Sequence, residues 1–104
     1  MPHLLRLEYT GSERAAEPHV RDHVAFLERH HEEGTFVLSG QTDPAEDGGL
    51  IVAVGVDRER AEEIAAEDPF VRAGVGRYLI TTVVPGRAHP AVAALLGGRS
   101  VPPA

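Results

Sequence analysis

Leu50-Ile51-Val52-Ala53-Val54-Gly55-Val56 is an apolar run with no polar face, and it leads directly into Asp57 and the stretch Arg58–Glu67. A short run of small β-branched residues of this kind predicts a central strand covered on both sides. Asp57 carries the short side-chain oxygen that caps a helix start. In the helix that follows, Ala61, Ile64 and Ala65 share an inward face, while Glu59, Glu62 and Glu63 point out. Asp68-Pro69 stops it, because the residue before proline is pushed out of the α region. Phe70–Ala73 allows one further turn. Gly74-Val75-Gly76 then leads into a β-rich strand from Arg77 to Val84, closed by Pro85-Gly86.

Upstream of this unit the order is the same. Leu5, Leu7 and Tyr9 alternate with Leu4, Arg6 and Glu8, which predicts a half-buried strand over Leu4–Tyr9. A polar loop, Thr10–Ala16, precedes Pro18, a residue suited to a first helical turn. A helix is expected from Pro18 to Glu33, with Val20, Val24 and Leu27 as its inward stripe and Phe26 off the stripe's centre. Gly34 ends it, Thr35–Leu38 forms a strand closed by Ser39-Gly40, and Gln41–Gly49 is an exposed hairpin connection. Two β-α-β halves in succession define an α+β, ferredoxin-like fold: a four-stranded antiparallel sheet with both helices on one face. The other face is left bare, and a homodimer is its simplest cover. The domain is expected over residues 1–86, with 87–104 as a C-terminal extension holding a short helix, His89–Leu96, and a proline-rich end.

Composition narrows the function. With 104 residues, a net charge of −6 and ten basic residues that form no run, the chain lacks the cationic surface on which nucleic-acid binding rests. An anionic membrane surface is disfavoured for the same reason, and no apolar stretch approaches a bilayer span. The absence of cysteine excludes disulfides, thiolate catalysis and cysteine-ligated zinc. Met1-Pro2-His3 enters the first strand without the pattern of a secretory signal, so the cytoplasm is the expected address. The glycine pairs Gly48-Gly49 and Gly74-Val75-Gly76 do not connect a strand to a helix as phosphate cradles do, and no cofactor is expected.

The histidines and carboxylates carry the remaining chemistry. His23 projects from the inward stripe of the first helix, where an imidazole serves either as a hydrogen-bonded core or rim residue or as a general acid or base. Asp68 ends the other helix on the same sheet face. It is either a helix stop with a hydrophobic anchor or the carboxylate that fixes an imidazole's tautomer. His19 and His23 have the i, i+4 spacing of a chelate but no third ligand, so no metal site is expected. Of His30 and His31, which point about 100° apart on a helix, His31 falls nearer the expected inward face.

Three stretches carry a family resemblance: Arg21-Asp22-His23 with Phe26-Leu27, Glu33-Gly34-Thr35-Phe36-Val37-Leu38-Ser39-Gly40, and Ala61–Val75 with its Asp-Pro-Phe and Ala-Gly pairs. In these, over roughly Leu4 to Val84, the chain resembles the YCII-related (YciI-like) family. The resemblance implies a dimeric α/β barrel in which His23 and Asp68 form an active-site pair beside the sheet. It further implies Ser39, Gly40, Pro69 and Phe70 as substrate contacts and an unidentified small molecule as ligand. The proline that usually follows the family's glycine is Gln41 here. That family includes a chlorinated-hydroquinone dehydrochlorinase, which implies a lyase-like or isomerase-like proton transfer on a cyclic or aromatic substrate. A non-catalytic binding module of the same fold is the alternative.

Overall fold

The computed structural model describes residues 1–96. Strands β1 (His3–Tyr9), β2 (Phe36–Gln41), β3 (Gly49–Ala53) and β4 (Gly76–Thr82) form one antiparallel sheet in the order β2-β3-β1-β4. Helices α1 (Val20–Glu32) and α2 (Arg58–Glu67) cover one face. This is the α+β, ferredoxin-like architecture expected from the alternation of elements. α3 (Pro69–Arg72) is the extra turn after Asp68, and α4 (Pro90–Leu95) lies in the C-terminal segment. The proline-rich end from residue 97 onward lies outside the described residues.

The core forms between the inner sheet face and the two helices. Leu5, Ile51 and Ala53 of the sheet pack against Phe26 of α1, Phe36 of β2, and Ile64 and Ala65 of α2. Asp57 caps α2 as its sequence predicts, accepting the Arg60 backbone N–H at 2.7 Å.

α1 departs from expectation in where it starts and in which face it buries. It begins at Val20, because Glu13–His19 forms a 3-10 helix that contains Pro18 and is capped by Ser12. It is also rotated relative to the expected stripe. Val20 and Val24 are 45% and 41% exposed, whereas Phe26 and His30 are 2% exposed. His31, expected near the inward face, is exposed. The inward line therefore runs through His23, Phe26 and His30. The large ring of Phe26 contacts Phe36 edge-on at 5.6 Å, and His30 Nε2 lies 3.2 Å from Glu67 Oε1 at the end of α2. An aromatic ring buries more area than a valine, and its burial decides the phase.

Strand limits shift for reasons visible in the pairing. β2 continues through Ser39 and Gly40 to Gln41, because Ile51, Leu50 and Gly49 pair with them. β3 stops at Ala53, three residues short of Val56, where Val54 N–H turns to Thr35 O and Gly55 takes a positive φ of 76°. β4 stops at Thr82, opposite His3, the first residue of β1.

The candidate active site

One register row crosses all four strands on the inner face: Tyr78 of β4 opposite Leu7 of β1, Leu7 opposite Gly49 of β3, and Gly49 opposite Gln41 of β2. This row floors a cavity of about 290 Å³ that lies beneath α1. Apolar walls come from Val20, Val24 and Leu27 of α1, and Phe70 adds an aromatic one. The valines that missed the core thus line the cavity instead. Among the described residues, no Arg side chain lines it.

Glycine is required at the floor. Gly48 has a φ of 115°, and a Cβ there would collide with the Leu7 carbonyl oxygen. A Cβ on Gly49 would stand 2.8 Å from the Gly40 carbonyl oxygen. These two residues, read from the sequence as turn glycines, also keep the floor clear of side chains.

His23 enters from the first turn of α1. Asp68 stands between α2 and α3 and serves both, as C-cap of one and N-cap of the other. Pro69 holds its backbone extended, at φ −60° and ψ 127°. The chain therefore turns at Asp68, and its carboxylate is fully buried. It accepts three donors. Phe70 N–H reaches Oδ1 at 2.9 Å, Tyr78 O–H reaches Oδ2 at 2.5 Å, and His23 Nδ1 lies 2.9 Å from each oxygen. An ionised carboxylate only accepts, so the His23 proton sits on Nδ1. The neutral ring's lone pair is then on Nε2, which has no protein partner among the described residues. The Phe70 ring stacks on the imidazole with centroids 4.0 Å apart and planes 8° from parallel, fixing the ring plane as well as the tautomer.

Burial and the Asp68 charge also act on the phenols. Desolvation, followed by the neighbouring carboxylate, pushes the Tyr78 hydroxyl far above the usual phenol range. Tyr9, which lines the cavity, is raised mainly by desolvation, with smaller contributions from Glu13 and Asp68. Both remain protonated donors at neutral pH.

The structure brings together His23, Ser39, Gly40 and Phe70 around the cavity, with Asp68 directly behind His23. Pro69 is not among the lining residues. It faces the outer surface with Asp22 and Arg29, since its task is the backbone turn that aims Asp68. Ser39 is held by His31, whose Nε2 lies 2.7 Å from Ser39 Oγ. Sequence reasoning missed Tyr78, Tyr9 and Leu7. The alternation of β4 puts Tyr78 on the core face with Ile80, and a core-facing phenol needs a buried acceptor; that was the available signal. Among the described residues no three metal-binding side chains converge, and no helix is long and apolar enough to cross a membrane.

The model of the YCII-related domain matches residues 1–85. The chain belongs to the YCII-related family. No curated protein matches this YCII-related chain. Among solved structures it is similar to 5-chloro-2-hydroxyhydroquinone dehydrochlorinase from Burkholderia phenoliruptrix AC1100, whose structure holds 2,5-dihydroxybenzoquinone. The TM-score is 0.66 at 19% identity, covering 80% of this chain and 93% of the other. That likeness shows a common fold.

Proposed function

We propose that this YCII-related protein is an acid–base enzyme acting on a small cyclic or aromatic compound, in a lyase-like or isomerase-like proton transfer. His23 takes or gives the proton at Nε2, Asp68 orients it and stabilises the imidazolium, and Ser39, Gly40 and Phe70 contact the ligand. The observation that carries this reading is the buried carboxylate held by three donors behind an imidazole that borders an apolar cavity. An apolar cavity of roughly 150 Å³ holds a benzene ring, so 290 Å³ admits a substituted one. That a fold neighbour acts on a chlorinated hydroxyhydroquinone agrees with a ring substrate. We further propose a homodimer formed through the open sheet face, where Leu38 and Leu79 are exposed, and a cytoplasmic location, which suits a chain without cysteine.

The test is deuterium uptake from D₂O at C4 of cyclohex-2-enone, followed by proton NMR. In this exchange the C4–H bond breaks toward His23 Nε2 and the carbonyl oxygen is protonated, giving a dienol that returns with deuterium at C4. The expected result is protein-dependent exchange that falls about a hundred-fold in His23→Ala. Equal rates for wild type and His23→Ala would sink the acid–base reading. Ring binding without any exchange would assign the non-catalytic role.

A further inference from the structure

His31 is left over by the His23–Asp68 chemistry, yet with the ligand contact Ser39 it forms a second imidazole-centred pair on the same cavity. Ser39 faces inward because it pairs with Ile51, a core residue of β3, and it lines the cavity. Its hydroxyl is 2.7 Å from His31 Nε2. His31 itself is exposed, with its ring edge-on to Phe36 at 6.0 Å. One end of the pair therefore meets the ligand space and the other meets water.

The placement of the pairs is as informative as their chemistry. His23 lies in the first turn of α1 and His31 in the last, roughly 12 Å apart along the axis at 1.5 Å per residue. Below them, Tyr78 and Ser39 stand on β4 and β2, the two edges of the sheet, separated by three strand spacings or roughly 14 Å of backbone. A ring between the two pairs meets a proton-transferring group on each side. Moving a proton across a conjugated ring needs two such groups, one at the carbon that loses hydrogen and one at the oxygen that gains it.

We infer that Ser39 and His31 form a second proton-transfer arm of this site, with Ser39 touching the ligand oxygen and His31 acting through it as the link to solvent. This rests on the reading of the cavity as an acid–base site. In the forward step a ligand C–H bond breaks and its proton goes to His23 Nε2. The ring double bonds shift, and the ligand oxygen takes the Ser39 Oγ proton. Ser39 recovers a proton from Nε2–H of protonated His31, and water later reprotonates His31 while accepting the proton held by His23. The count of protons is unchanged over the cycle, and no oxidant or reductant enters.

The experiment is the same C4 exchange of cyclohex-2-enone, run on His31→Ala, Ser39→Ala and His23→Ala with and without free imidazole in the buffer. The expected result is a drop of about ten- to a hundred-fold in His31→Ala, with the melting temperature of wild type because the residue is exposed. Free imidazole should restore that rate in proportion to its concentration, reaching Ser39 through the gap left at the surface. It should restore nothing in Ser39→Ala, which lacks the hydroxyl that carries the proton. Exchange that survives His31→Ala at the wild-type rate overturns the arm alone and leaves the His23 reading intact. A loss that imidazole does not repair overturns it too, since that reports a structural role. Exchange no faster with wild-type protein than without it overturns the His23 reading and the arm together.

Discussion

Asp68 concentrates the consequences of a single side chain. Its carboxylate holds α3 through the Phe70 N–H, the Tyr78 hydroxyl and the His23 tautomer at once. Replacement by asparagine keeps one carbonyl oxygen, shared by Phe70 N–H and His23, but puts an N–H₂ where Tyr78 needs an acceptor and where His23 has its second one. The expected cost for Asp68→Asn is about 3 kcal/mol of stability, read by denaturant unfolding. Nitrogen-15 spectra of His23 should change from a single Nδ1–H form to a mixture of tautomers; an unchanged spectrum would refute the pair. Tyr78 makes a separate prediction through pH. Its hydroxyl titrates higher in the folded protein than in the unfolded chain, so above about pH 10, the ordinary phenol value, the unfolded state loses a proton that the folded state keeps. Stability from this group is complete below that pH and declines above it, by up to about 1.4 kcal/mol per pH unit. Tyr78→Phe should flatten the alkaline limb of melting temperature against pH by that slope, with one donor fewer on Asp68 Oδ2 at neutral pH. A limb of identical steepness in the variant would rule out the linkage.

At the level of the element, the β2–β3 hairpin and the phase of α1 decide whether a cavity exists at all. The hairpin floor depends on Gly48, whose φ of 115° and close approach to Leu7 leave no room for a Cβ. Gly48→Ala should cost more than about 2 kcal/mol and lower the melting temperature by roughly 8 °C or more; an unchanged melt would show that the hairpin can shift at no cost. The order of elements was legible in the sequence because the strand runs, Asp57 and Asp68-Pro69 are local signals, and each acts within a few residues. The phase of α1 was not. Val20, Val24 and Leu27 have ideal helical spacing, but periodicity identifies a line of apolar residues without saying whether it meets the core or a cavity. The competition was settled by Phe26 meeting Phe36 of the next element, and by His30 reaching Glu67 across to α2, a contact between residues 37 apart; neither is visible in the periodicity of α1 alone. His23 was legible as inward under either phase. Its pairing with Asp68 became legible only by resemblance, since the contact joins residues 45 apart.

For the whole molecule, the two sheet faces have unequal protection. The inner face is closed by α1, α2 and the core, while the outer face carries Leu4, Val52 and Leu38 along one register row and Leu79 on the next. The C-terminal segment reaches part of this face, where Val92 and Leu95 of α4 share a groove with Leu4, Val37 and Val52. It leaves Leu38 60% and Leu79 41% exposed, on the opposite edge strands β2 and β4. An apolar face with exposed leucines at both edges is suited to a second copy related by a two-fold axis, because each edge then meets its counterpart across the interface. Under that arrangement a carboxylate introduced at both edges meets the same charges on its partner. The wild-type chain should sediment at twice its 11.1 kDa mass, and Leu38→Asp with Leu79→Asp should self-associate more than about a hundred-fold more weakly, roughly 3 kcal/mol. Circular dichroism of the double variant should remain that of the folded monomer, since neither leucine belongs to the buried core. A wild-type monomer at high micromolar concentration, or a variant dimer of undiminished strength, would show that the open face has another purpose and that each cavity is complete within one chain.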